Sequence, residues 1–260
     1  GIINTLVKKT SGSVQIMGYD LDTQASAMKA CVGTVPQEYN FSIFESVFDI
    51  IRWQAGYFGL SRELAKERAE YYLKQLRLWD KRHMAARTLS GGMKRRLMTA
   101  RAMVHQPKIL ILDEPSAGVD IEIRRSMWDY LLQLKRQGST IVLTTHYLEE
   151  AEELCDRVAI IDGGRIIRDA PKDELIAELA CQSFIFDVQG VTKPMPSADT
   201  FSLIPISTNS FRVDLSAGQS LNDVLAFFSE HHLVVTSMRN KANRLEELFL
   251  NLTGKNGAVQ

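Results

Sequence analysis

The sequence predicts an α/β fold built on a mostly parallel sheet, followed by a small α+β domain. From residue 1 to about 172, short apolar strands alternate with helical segments, which is the pattern of a parallel sheet. From residue 181 onward the apolar residues alternate along the predicted strands, as in antiparallel sheets. We therefore expect two domains, residues 1–172 and residues 181–260.

The first domain contains three candidate buried strands. They are Ala30–Val35, Ile109–Leu112 and Thr140–Thr144. Each is rich in β-branched residues and leucine with little alternation, so we expect both faces to be covered. Further along, Gly163-Gly164 separates two short apolar runs and predicts a hairpin turn.

Residues 44–88 are predicted to form a helical subdomain inserted into the first domain. Ser61 is the expected N-cap of a helix over Arg62–Leu78, and its apolar face includes Tyr71 or Tyr72. The second domain is predicted to contain strands around residues 184–188, 211–215 and 233–238. It is also predicted to contain a helix whose apolar face is formed by Leu221, Val224, Leu225 and Phe228. A final helix is expected at Leu245, Leu248, Phe249 and Leu252.

The bulk composition excludes several classes of protein. Lys plus Arg and Asp plus Glu each number 31, so no net charge draws the chain to nucleic acid. No apolar run reaches the roughly 18–20 residues of a membrane helix. The three cysteines, Cys31, Cys155 and Cys181, have no ligand-like spacing and are expected to be free thiols.

Ser90-Gly91-Gly92 precedes an amphipathic helix predicted over Met93–Val104. Ser90 is a candidate N-cap, and the two glycines let another backbone approach closely. The free N–H groups at such a helix start form an anion site. A simple cap without a ligand is the alternative.

Asp113 and Glu114 end the apolar strand that begins at Ile109. Ligand chemistry in α/β sheets lies at the carboxyl ends of the strands. One carboxylate can hold Mg²⁺, and the other can take a proton from an attacking water. Two solvated acids at a strand end are the alternative.

Several motifs together resemble the nucleotide-binding subunit of ABC transporters. Leu89-Ser90-Gly91-Gly92-Met93, Asp113-Glu114-Pro115, Ser116-Ala117-Gly118-Val119-Asp120 and His146 follow the family's order and spacing over residues 10–172. Gln37 matches the glutamine of the family's Q-loop. The resemblance implies a P-loop NTPase-like sheet, with ATP and Mg²⁺ as nucleotide and metal.

The resemblance implies a role for each residue of the chain's own site. Glu114 would be the general base, and His146 would contact the γ-phosphate and orient the attacking water. Asp113 would support Mg²⁺, and Gln37 would contact the region of the Mg²⁺ and the water. Taken singly, Gln37 is also typical of polar surface, and His146 of a strand-end histidine with a structural role.

A second group of residues would serve the nucleotide of another subunit. The resemblance implies that Ser90, Gly91 and Gly92 grip the γ-phosphate held by the opposite subunit, while Asp120 lies in the loop that couples the two sites. Taken alone, Asp120 is most simply the N-cap of a helix over Ile121–Gln137. The basic triplet Lys94-Arg95-Arg96 is interpreted as a solvated face.

The sequence departs from the family at its start. No G-x-x-x-x-G-K-[ST] phosphate loop occurs in these residues. In the family that loop lies immediately before the helix whose remainder resembles Gly1–Val7, so we expect a truncation near the start of that helix. Because the loop supplies most contacts to the β- and γ-phosphates, the chain alone is expected to bind ATP poorly and not to hydrolyse it.

The resemblance also implies partners and a location. A membrane-spanning permease subunit and a second nucleotide-binding subunit, a homodimer in the intact protein, are expected, with the chain on the cytoplasmic face of the membrane. Leu245-Glu246-Glu247-Leu248-Phe249 and Leu252-Thr253-Gly254 resemble export-type members. Two alternatives stay open, a catalytically dead regulatory subunit and a soluble ABC ATPase that takes no part in transport.

Overall fold

The computed structural model describes residues 1–177, 181–191, 200–216, 218–241, 245 and 248–249. Contacts divide the chain into two compact units, residues 1–146 and residues 147–260. This division falls before the predicted domain boundary at residue 172, and that boundary stays a prediction.

The first unit is built on a parallel sheet of three strands. Its strands are β3 (Val32–Val35), β4 (Ile109–Asp113) and β5 (Thr140–Thr144), with β4 in the centre. Before them lie the hairpin of β1 (Gln15–Ile16) and β2 (Tyr19–Asp20) and the helix α1 (Ala25–Ala30). In register, Val35 pairs with Leu112 and Asp113 with Thr144, so the three strands end at one edge.

Four longer helices complete the first unit, and a side chain caps the start of each. They are α2 (Val47–Tyr57), α3 (Arg62–Gln75), α4 (Gly91–Met103) and α5 (Ile121–Arg136). The N-caps are Ser46, Ser61, Ser90 and Asp120. The cap predicted at Ser61 is confirmed, and Tyr72, not Tyr71, is the tyrosine that α3 buries.

The core of the first unit lies along α4 and the centre of the sheet. Leu97, Ala100, Met103 and Val104 are all buried, as the predicted helix face requires, and Leu110 and Leu112 of β4 are buried with them. In the described residues no helix combines the length and the apolar character needed to cross a membrane. Cys31 and Cys155 carry reduced thiols and are half-buried.

Three predictions about strands and helices in this unit are wrong. Ala30 belongs to α1, so the first strand begins at Val32. Only one face of β5 is covered, because Val142 is 49% exposed while its neighbours on the other face are half-buried. Residues 1–7 form turns and not a helix; Leu6 is 81% and Val7 57% exposed, so no packing of an apolar face stabilises a helix there.

The second unit contains a hairpin, an antiparallel sheet and three helices among the described residues. The hairpin of β6 (Arg157–Asp162) and β7 (Arg165–Pro171) turns at the predicted glycines and lies between α6 (Leu148–Leu154) and α7 (Lys172–Ala177) in the sequence. Leu175, Leu245 and Leu248 share a core cluster with Ala151 and Ile160.

The sheet of the second unit has the order β11-β8-β10-β9. The strands are β8 (Cys181–Gln189), β9 (Ser202–Pro205), β10 (Ser210–Ser216) and β11 (Val234–Asn240), and the helix is α8 (Leu221–Glu230). The predicted alternation is confirmed, because Phe211, Val213 and Leu215 are all buried with Phe228 of the helix. Leu252, Glu246-Glu247 and Leu252-Thr253-Gly254 lie outside the described residues.

Candidate active site

Four of the predicted site residues lie just beyond the carboxyl ends of adjacent strands. Gln37 follows β3 by two residues, Asp113 ends β4 with Glu114 next, and His146 follows β5 by two residues. Because these parallel strands end at one edge, the sheet itself brings the four residues to one place. A carboxylate pair, an imidazole and an amide are thereby combined at the edge where α/β folds bind ligands.

Glu114 and His146 form a direct contact at this edge. Oε2 of Glu114 lies 2.7 Å from Nδ1 of His146, and the side chains are 17% and 63% exposed respectively. No hydrogen bond of standard geometry satisfies this buried Oε2 in the described part of the chain. An acceptor that is buried, close to an imidazole and not fully satisfied is suited to receive a proton from a bound water.

The backbone holds Glu114 in an unusual conformation. Its φ is 49°, in the left-handed region that non-glycine residues seldom adopt. The Glu114 N–H donates to the carbonyl oxygen of Thr144 at 2.9 Å, which ties the residue to the end of β5. Strain of this kind concentrates at functional sites, where surrounding contacts hold it in place.

Asp113 differs from Glu114 in its surroundings. It is exposed, and its Oδ1 accepts a hydrogen bond from Oγ1 of Thr144. That bond fixes the carboxylate and leaves its other oxygen for a ligand. In the described residues no cluster of three or more His, Cys, Asp or Glu side chains forms a self-sufficient metal cage. The donor set fits Mg²⁺ in a phosphate site, which takes one or two carboxylates and completes its shell with water and phosphate oxygens.

The remaining predicted residues lie at the starts of two helices that pack together. Oγ of exposed Ser90 accepts from the Met93 N–H at 3.3 Å, and Oδ1 of exposed Asp120 accepts from the Ile123 N–H at 2.8 Å. A Cβ added at Gly92 would lie 2.4 Å from Cδ1 of Ile123. Gly92 therefore permits α4 and α5 to touch, and Ser90 and Asp120 start the two helices that meet there.

The interpretation of the basic triplet as a solvated face is wrong. Arg95 is 3% exposed and donates from Nη1 to the carbonyl oxygen of Pro36 at 2.8 Å. Arg96 donates to the carbonyl oxygen of Leu76 at 3.1 Å. The sequence carried a signal for Arg95, because the residues three, four and seven positions later are uncharged and share its helix face. They are Met98, Thr99 and Ala102, all buried.

Comparison with known proteins shows the family of the chain. Residues 1–117 match the family model described as ABC transporter. The chain is 32% identical to the linearmycin resistance ATP-binding protein LnrL of Bacillus subtilis, covering 98% of this chain and 84% of that protein. It is 34% identical to the Nod factor export ATP-binding protein I of Cupriavidus pinatubonensis, covering 96% of this chain and 76% of that protein.

Solved structures show the same fold. The structure of an ATP-binding subunit of an ABC transporter matches with a TM-score of 0.61 and 26% identity, over 68% of this chain and 73% of that one. The structure of cbiO1 from Clostridium perfringens, part of the ABC transporter complex cbiONQ, matches with a TM-score of 0.60 and 27% identity, over 68% and 72%. The chain belongs to the family of ATP-binding subunits of ABC transporters.

Proposed function

We propose that the chain is the ATP-hydrolysing subunit of an ABC exporter, with Glu114 as its general base. The observation that carries the proposal is the buried Oε2 of Glu114, 2.7 Å from Nδ1 of His146 at the carboxyl edge of the sheet. The substrate is ATP. When bound, Mg²⁺ would be held by Asp113 and Gln37 and would neutralise charge on the phosphates.

The chain's own residues position and deprotonate the attacking water. Glu114 accepts its proton at Oε2, and His146 orients the water and contacts the γ-phosphate. The hydrogen bond from Thr144 holds Asp113 at the strand end. Catalysis of this kind depends on positioning and electrostatic stabilisation, because phosphoryl transfer requires little covalent work from the protein.

A second group of residues, at the starts of α4 and α5, serves a paired subunit. Ser90, Gly91 and Gly92 bind the γ-phosphate of the nucleotide held by the opposite subunit. Asp120 couples the two nucleotide sites. This arrangement supports a homodimer in the intact protein, docked on a membrane-spanning permease at the cytoplasmic face. Similarity to Nod factor export ATP-binding proteins supports outward transport, and similarity to part of a transporter complex supports the permease partner.

The polypeptide of these 260 residues contains no G-x-x-x-x-G-K-[ST] sequence. Without that loop the phosphates lack their N–H cradle and lysine, so this polypeptide alone binds Mg-ATP poorly and does not hydrolyse it. Calorimetric titration of the polypeptide with Mg-ATP tests this. Micromolar binding accompanied by turnover contradicts it.

The assignment of Glu114 is tested in the membrane-embedded complex of the intact protein and not in the isolated 260-residue polypeptide. Glu114→Gln preserves the shape of the side chain but removes the proton acceptor, so we expect ATP turnover to fall about 10²–10⁴-fold while ATP still binds. The matched control is Glu122→Gln, an exposed acid in the first turn of α5. Turnover by Glu114→Gln at the rate of the control means that another group is the base.

A further inference from the structure

We propose that Arg95 is a positioning residue that holds the segment carrying Gln37 against the start of α4. The segment is residues 36–40, hereafter the Gln37 segment. The inference rests on the proposed function, because its importance depends on the role of Gln37 beside the Mg²⁺ and the attacking water. It assigns Arg95 no contact with nucleotide.

Three hydrogen bonds join the Gln37 segment to α4. Nη1 of Arg95 donates to the carbonyl oxygen of Pro36 at 2.8 Å. The hydroxyl of Tyr39 donates to the carbonyl oxygen of Gly91 at 3.0 Å, and Nη1 of Arg101 donates to the carbonyl oxygen of Asn40 at 3.0 Å. The bonds reach both ends and the middle of the segment, so a shift of the segment against α4 must break at least one of them.

Of the three hydrogen bonds, the one donated by Arg95 lies closest to Gln37 and is the most shielded from water. Its side chain is 3% exposed, whereas Tyr39 is 43% exposed. A hydrogen bond from a charged donor is stronger when it is removed from water. Its acceptor belongs to Pro36, whose ring fixes φ, so holding this carbonyl also fixes the direction in which the chain enters Gln37.

The arrangement links the two parts of the site. Arg95 lies one helical turn after Gly91, and Gly91 itself accepts the Tyr39 hydroxyl. Gly91, which would face the nucleotide of the opposite subunit, is therefore bonded to the segment that carries Gln37 of the chain's own site. Movement of the start of α4 against that nucleotide shifts Gln37 as well, and the coupling acts equally in the reverse direction.

Limited proteolysis of the 260-residue chain tests the positioning itself, because chymotrypsin cleaves after tyrosine and Tyr39 lies within the segment. Arg95→Met removes the donor and keeps much of the volume, so we expect cleavage after Tyr39 to accelerate about tenfold. Arg95→Lys retains a donor and restores most of the resistance to cleavage. The matched control is Arg96→Met, since Arg96 also donates from α4 to a backbone carbonyl but at Leu76, and it leaves cleavage after Tyr39 as in the wild type.

Two proteolysis results overturn the proposal. One is unchanged cleavage after Tyr39 in Arg95→Met, and the other is equal acceleration in Arg95→Met and Arg96→Met, which indicates general loosening of α4.

ATP turnover in the membrane-embedded complex tests the consequence for Gln37. Arg95→Met lowers kcat about tenfold or more with KM for ATP changed less than twofold, and Arg95→Lys recovers most of the rate, because small misplacements at a catalytic centre act on kcat. A rise in KM at constant kcat contradicts a positioning role. If the wild-type complex of the intact protein shows no turnover, the proposed function fails, and limited proteolysis alone decides whether Arg95 holds the segment.

Discussion

Gly92 lies where α4 and α5 touch, and an added methyl group has no room there. A Cβ at this position would be 2.4 Å from Cδ1 and 2.9 Å from Cγ2 of Ile123. The helices must separate or Ile123 must leave its rotamer, so we expect Gly92→Ala to lower the free energy of unfolding by about 1–3 kcal/mol. Chemical denaturation measures the loss.

Gly91 supplies the matched control for this substitution. A Cβ at Gly91 would lie 3.6 Å from the hydroxyl of Tyr39, an ordinary contact distance. Gly91→Ala should therefore be less destabilising than Gly92→Ala. In an Ile123→Ala background the loss caused by Gly92→Ala should shrink, because the clash is gone. Equal losses in both backgrounds would show that the clash is not the cause.

His105 is a second residue whose surroundings predict a measurable effect. Its ring stacks on Phe58 with centroids 3.6 Å apart, Nε2 donates to the carbonyl oxygen of Val32 at 3.1 Å, and the buried Nδ1 has no hydrogen-bond partner in the described residues. Burial lowers the pKa of His105 below its ordinary value of 6.5, and the charge of Arg68 adds to this. The folded protein therefore resists a proton that the unfolded chain accepts.

The sign of the pH dependence follows from proton uptake on unfolding. Below pH 6.5 the unfolded state binds more protons at His105 than the folded state, so stability falls as the pH drops through 6.5 towards the folded pKa. His105→Gln keeps a donor for the Val32 carbonyl but cannot titrate. Between about pH 7.5 and 5.5, its free energy of unfolding should therefore fall less than that of the wild-type protein. Parallel stability curves for the two proteins contradict the assignment.

The sequence predicted the positions of the candidate site residues better than their contacts. Glu114 and His146 could be placed at strand ends because apolar runs precede both. Glu114 makes its 2.7 Å contact from a backbone with positive φ, which no pattern of residue types specifies. The interpretation of Lys94-Arg95-Arg96 as a solvated face was wrong because a charged triplet is typical of surface. The uncharged residues that share the helix face of Arg95 indicated its burial, and the packing of α4 confirms it.

At the scale of elements, helix starts were the most predictable feature, and Asp120 illustrates why. Its Oδ1 accepts the N–H of Ile123 at 2.8 Å and so satisfies a donor left free at the first turn of α5. We expect Asp120→Ala to lower the unfolding free energy by about 1 kcal/mol and Asp120→Asn to leave it nearly unchanged. Thermal and chemical denaturation of the two variants measure this.

The same pair separates capping from coupling between subunits. If Asp120→Asn retains stability but lowers ATP turnover in the membrane-embedded complex, the carboxylate has a role beyond its cap. If Asp120→Asn loses as much stability as Asp120→Ala, the stability does not depend on a side-chain acceptor. That result contradicts the interpretation that Asp120 stabilises α5 by accepting the Ile123 N–H.

Other elements could not be predicted correctly from the sequence because their residues are compatible with more than one environment. The β-branched run of β5 is equally suited to a strand covered on one face or on two, and the exposure of Val142 could not be read from it. The turns at residues 1–7 leave Leu6 and Val7 exposed, so no apolar face is packed there to stabilise a helix, and a resemblance in sequence does not reveal this.

At the scale of the whole molecule, each of the two units has its own core. In the second unit, Phe228 is fully buried and its ring centroid lies 5.3 Å from that of Phe186. In the first unit, Leu97 is fully buried. Two units that each bury hydrophobic residues of their own are expected to unfold in more than one step, since a single cooperative transition is typical of single domains.

The tryptophans allow the two steps to be separated. Trp53, Trp79 and Trp128 are the only 3 tryptophans of the chain, and all lie in the unit of residues 1–146. Their fluorescence therefore reports that unit, while far-ultraviolet circular dichroism reports both.

Phe228→Ala removes a buried ring from the second unit and should lower its stability by about 3–5 kcal/mol. We expect part of the dichroism transition to move to lower denaturant while the fluorescence transition stays in place. Leu97→Ala is the reciprocal control and should move the fluorescence transition. If Phe228→Ala shifts both signals together, the two units unfold as one cooperative body. The tryptophans of residues 1–146 then report a loss of stability that was introduced in the second unit.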